Sequence, residues 1–92
     1  MKTHIKVYRK HFDLGEQDLC TCEVCTKMGR IDNGGFDIHH IWGRGKDKDV
    51  IENLMCVCRR CHTEIHSGMY SKSMLQYIHN NYLNGHNIKF RK

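Results

Sequence analysis

Apolar residues in this chain fall in short runs, and the runs predict a small set of elements. NGG at 33–35 is a hairpin-turn signal, and FDIHHI at 36–41 follows it with strand-like residues. WGRGKDKD, glycine-rich and charged, reads as a loop, and VIENLMCVC reads as a second short extended segment. RRCHTEIHSGM then reads as a helix that stops at about Gly68. The predicted order through the middle of the chain is strand, loop, strand, helix. Further on, SKSMLQYIHNNYLNG at 71–85 reads as another helix, with Met74, Leu75, Ile78 and Tyr82 on one apolar face and Ser73 and Gln76 as a capping box. The N-terminal IKVYRKHF fits a strand or a helix equally well.

Length changes this picture first. A chain of 92 residues allows one domain, 1–92, with a modest core. Such a chain buries only roughly 60 to 65% of its surface, and it usually needs a staple. Six cysteines can supply one, as disulfides or as metal ligands. MKTHIKVYRK carries charge with no long apolar stretch behind it, and nothing later approaches the length of a membrane span. The expectation is a reducing cytoplasm and no membrane. Fifteen basic and ten acidic residues give a net charge of +5, which favours polyanionic partners without identifying one.

The cysteines form two clusters, CTCEVC at 20–25 and CVCRRC at 56–61, and each ends in a C-x2-C pair. Cys22 with Cys25 and Cys58 with Cys61 have the spacing at which two tight knuckles complete one tetrahedral four-cysteine zinc site. The competing reading is a disulfide framework or buried free thiols, which the absence of a secretory signal disfavours. Cys20 and Cys56 are left over as thiols of the core or of the surroundings of the zinc. The interval between Cys25 and Cys58 is longer than in a simple zinc ribbon, so a whole substructure is inserted between the knuckles.

That insert carries the second chemistry. His62 and His66 are four residues apart on the predicted helix and project from one face. A pair at this spacing is more often surface than a metal site. If the strand bearing His39 and His40 packs against the helix, three imidazoles can meet one ion and leave coordination positions open, as catalysis requires. His4, His11, His79 and His86 have no partner at ligand spacing and read as ordinary surface or core residues.

DIHHIWGRG, then Asn53 in ENLMCVC, then RRCHTEIH resemble the HNH endonuclease family, whose site is the ββα-metal fold. The histidines and the H-x3-H helix are similar to the nuclease domain of the DNase colicins, and the paired knuckles to zinc-stabilised HNH proteins of phages and bacteria. The resemblance runs from about Cys22 to His66. It implies that His39, His62 and His66 hold a catalytic divalent ion, that His40 is the general base, and that Asn53 holds the loop after His40 so that the imidazole stays aimed. Many family members have aspartate where His39 stands, so the ligand set here is richer in nitrogen, and the working metal is open among Zn2+, Ni2+, Co2+, Mn2+ and Mg2+. Asp37, two residues before His39, is expected to orient a histidine rather than to join the metal. Arg44, Arg59 and Arg60 are the candidate phosphate contacts, with solvation as the plainer alternative.

The resulting expectation is an α+β domain with a small ββα-metal core over about 20–68, a structural four-cysteine zinc and an additional C-terminal helix over about 71–84. Its expected function is metal-dependent hydrolysis of phosphodiester bonds, in double-stranded DNA above other nucleic acids. The alternative is a zinc-stabilised nucleic-acid-binding module without turnover, or a component of a larger phage or restriction assembly; the small size hints at such a protein partner.

Overall fold

The N-terminal segment settles as a helix. In the computed structural model, which describes residues 2–31, 35–45 and 47–89 with side chains as far as Gly85, Thr3–Phe12 forms helix α1. His4, Ile5, Tyr8, Arg9 and Phe12 are its buried face, a spacing of three and four that suits a helix and not a strand. Asp13 ends it in the left-handed region, φ 56°, with its backbone N–H turned back to Arg9 and Lys10.

Strands Cys20–Thr21 (β1) and Met28–Gly29 (β2) pair antiparallel, with Cys20 opposite Gly29. The turn between them is the first knuckle. Thr26 takes φ 70°, its N–H reaches Cys22 O at 2.8 Å, and Cys22 N–H reaches Lys27 O at 2.7 Å. Gly29 is required by packing, since a side chain there would collide with the Phe36 ring.

The second sheet pairs Asp37–His40 (β3) with Leu54–Val57 (β4), antiparallel, with His39 opposite Met55 and His40 opposite Leu54. Every residue of β4 is fully buried, so this strand is the centre of the core. A 3-10 turn at Ile51–Asn53 occupies the first part of the segment expected to be extended. The hairpin expected at 33–35 falls largely outside the described residues, and the strands on either side of it do not pair with each other: β2 pairs with β1, and β3 with β4.

Helix α2, Arg59–His66, packs on β3. It ends as the sequence suggests, because Gly68 at φ 89° donates to Ile65 O while Met69 N–H reaches Glu64 O, the paired bonds of a Schellman stop. Helix α3, Lys72–Lys89, runs past the expected end at about residue 84. Its cap differs from the expected one. Ser71, not Ser73, accepts the Met74 N–H, because the helix begins at Lys72. Gln76 bonds Trp42 Nε1–H and Glu52 O instead of closing a box. The apolar face is also rotated: Leu75 is buried and Ile78 and Tyr82 pack on the core, but Met74 is 51% exposed and His79 takes the inward position.

His79 therefore has partners that spacing could not reveal. Its Nδ1 bonds Glu23 Oε1 at 2.6 Å, its Nε2 lies 2.6 Å from Ile51 O, and the other Glu23 oxygen accepts from Tyr8 OH and from Cys56 N–H. One buried carboxylate inside the first knuckle thus joins α1, β4 and α3. Burial alone would lower the His79 pKa, but the bond and charge of Glu23 outweigh it and raise it. The leftover Cys20 and Cys56 are both buried, with their sulfurs facing each other 2.7 Å apart. Among the described residues no helix is long and apolar enough to cross a membrane.

Candidate active site

Each knuckle delivers two thiols to one point. Cys22 and Cys25 leave the β1–β2 turn, Cys58 and Cys61 leave the start of α2, and their four sulfurs lie within 4.8 Å of one another. Cys22, Cys58 and Cys61 are buried, and Cys25 is half-buried. Burial pushes the Cys22 and Cys61 thiols up, whereas the Lys27 backbone N–H holds Cys25 down at about 7. The donor set is that of a closed tetrahedral zinc site.

From the residue after Cys61 onward, α2 contributes to a second set. His39 from β3 and His62 and His66 from α2 also place their ligand atoms within 4.8 Å. The Nε2 atoms of His62 and His66 are 3.0 Å apart, close to the roughly 3.3 Å between neighbouring nitrogens on a tetrahedral ion. Asp37 Oδ2 accepts from His62 Nδ1–H at 3.0 Å, which turns the His62 lone pair on Nε2 toward this set. Burial, and then His62 and His66, lower His39 to about 4, so its imidazole is neutral and free to donate a lone pair at neutral pH. Three nitrogens in a half-exposed setting can hold one divalent ion and leave positions for water and substrate.

His40 points away from this set. Its Nε2 bonds Asp49 Oδ1 at 2.7 Å, and its ring centroid lies 4.7 Å from that of His4. The Asp49 bond assigns the ring proton to Nε2 and leaves the lone pair on Nδ1. Asn53, buried, binds the loop after His40 three times: Oδ1 accepts from Trp42 N–H at 2.8 Å, and Nδ2 donates to Gly43 O at 3.2 Å and Lys48 O at 2.9 Å. Asp49 follows Lys48 directly, so the amide of Asn53 anchors the backbone next to the residue that pairs with His40.

His39, His40, His62, His66, Asp37, Arg44 and His4 line one cleft of about 310 Å3. Arg59 and Arg60 do not reach it. They border a separate hollow with Lys27, Gly35 and the knuckle residues Cys25 and Cys58.

The profile of the HNH endonuclease family matches residues 22–68, just over half of the chain. The chain belongs to the HNH endonuclease family. Neither the curated proteins nor the solved structures compared with it yield a match. The matched span covers both knuckles, β3, β4 and α2, so the strand–strand–helix unit that presents the histidines is the HNH core. Membership points to nuclease or nucleic-acid-related activity. Two residues of the HNH cleft escape sequence reasoning. Asp49 sits in a charged loop where it is one of two acids, and His4 lies 36 residues from His40 and outside the family match. Only the closing of the loop and the docking of α1 bring them in.

Proposed function

We propose that the protein is a metal-dependent endonuclease that hydrolyses phosphodiester bonds in double-stranded DNA. His39, His62 and His66 hold one divalent ion, and His40 is the general base. The observation that carries this reading is an Asp-paired histidine beside a three-histidine cluster in one cleft of an HNH core.

Asp49 accepts from His40 Nε2–H, so Nδ1 takes the proton from the attacking water, and the carboxylate then stabilises the imidazolium that forms. Asn53 keeps the loop, and with it Asp49, at that distance. When bound, the ion stabilises charge on the scissile phosphate and on the departing oxygen. Asp37 keeps the His62 lone pair aimed. Arg44 contacts the scissile phosphate from the cleft wall, while Arg59 and Arg60, with Lys27, hold the neighbouring backbone. Three imidazoles suit Zn2+, Ni2+ or Co2+ better than Mg2+. The four-cysteine zinc is structural. The setting proposed is cytoplasmic.

Single-turnover cleavage of plasmid and linear DNA, in a series of divalent metals at fixed salt, tests the proposal. Wild type should cut. His40→Ala should lose on the order of a hundredfold to ten-thousandfold in rate with DNA affinity unchanged, since phosphate contacts supply affinity. Wild type that binds DNA but cuts with none of the metals makes the protein a binding module instead.

A further inference from the structure

A second set of metal-ligating side chains lies against the first. His4 from α1, His40 from β3 and Asp49 from the loop place one ligand atom each within 4.8 Å of the others. His4 and His40 are each 8% exposed, and the Asp49 side chain is 31% exposed, so the set is walled by protein and still reachable. One pair, His40 Nε2 and Asp49 Oδ1, is 2.7 Å apart and needs to open only to the roughly 3.3 Å of tetrahedral ligands. Two imidazoles and one carboxylate are a donor set for borderline dications such as Zn2+ and Co2+, whereas Mg2+ prefers oxygen. Lys2 and Arg44 face the same cleft and oppose a cation there.

We propose that His4, His40 and Asp49 form a second, weaker site for a zinc-class transition-metal ion. An ion between His40 and Asp49 takes the Nε2 lone pair, so the ring proton moves to Nδ1, the atom that must accept a proton from water. The consequence rests on the reading of His40 as general base: zinc-class ions that activate the enzyme at the three-histidine site shut it off when they fill this one.

Equilibrium dialysis with Co2+ as the probe, without DNA, on protein whose knuckle zinc is in place, tests the site. Wild type should bind two equivalents of Co2+ beyond the knuckle zinc, the second at least about tenfold more weakly than the first. His4→Ala and Asp49→Asn should each abolish the weaker equivalent and keep the tighter one, while the double variant His62→Ala/His66→Ala should do the reverse. His4 is buried and its replacement can perturb folding; Asp49→Asn, at a half-exposed position, then decides, with knuckle zinc content reporting the fold. A wild type that takes up one equivalent, or a weaker equivalent that survives Asp49→Asn, overturns the proposal. The readout contains no cleavage, so failure of the nuclease reading and failure of this site give different results.

Discussion

The four-cysteine cluster and the three-histidine cluster flank one peptide bond in α2, that between Cys61 and His62, yet they differ in donor number and in burial. The first draws four thiols from two backbone turns and buries three of them. The second draws three imidazoles from a strand and a helix face, with His66 exposed and His39 and His62 half-buried. Four protein donors leave an ion nothing more to bind, whereas three leave room for water and phosphate. On the proposed reading, a centre that staples the fold and a centre that does chemistry sit side by side without exchanging roles, and the closed one fixes the start of the helix that carries the open one.

Breaking the closed centre should have the largest effect. Cys61→Ser should abolish cooperative unfolding and zinc retention together, because structural zinc contributes about 10–16 kcal/mol of apparent folding free energy in small domains. A Cys61→Ser protein with native near-UV circular dichroism and no zinc would remove the distinction between the centres. His62→Ala, one residue away, should fold and keep its knuckle zinc while binding the ion of the histidine site more than about a hundredfold more weakly, as isothermal titration with Co2+ would record. Asp37→Ala leaves every ligand in place and removes only the carboxylate on His62 Nδ1. Its expected loss is about 10- to 100-fold in the same titration, and an unchanged affinity would show that the Asp37 bond does not orient the ligand.

The smallest effect concerns the brace behind the first knuckle. The His79 pKa in the folded protein is raised above its ordinary 6.5, so the stability it contributes is full below pH 6.5 and is lost as pH rises through the folded value. The melting temperature of wild type should therefore exceed that of His79→Gln most below pH 6.5, and the gap should shrink as pH rises. A gap that widens with pH would mean that His79 is held neutral against Glu23.

Much of the site was legible because its parts are local. Cys22 and Cys25, Cys58 and Cys61, and His62 and His66 each lie within one turn of backbone, and a turn or helix brings such pairs together whatever surrounds them. The Gly68 stop and the order of β3, loop, β4 and α2 were legible for the same reason. The cap of α3 and the inward place of His79 were not, since Ser71 and Ser73 are equally good caps on paper, and the rotation of a helix is set by what it packs against.

The sequence by itself determined the two C-x2-C pairs, the His62–His66 pair, the order of the elements that carry them and the family to which the chain belongs, through residue type at short spacing. Tertiary structure alone decided that Glu23, Tyr8 and His79 share one buried network, that Arg59 and Arg60 stand apart from the cleft while Arg44 lines it, and that His4 and Asp49 close on His40. These contacts join residues 9 to 56 positions apart. Their formation depends on how α1, α3 and the loop dock on β4, and a packing energy summed over many side chains leaves no mark on any short stretch of sequence.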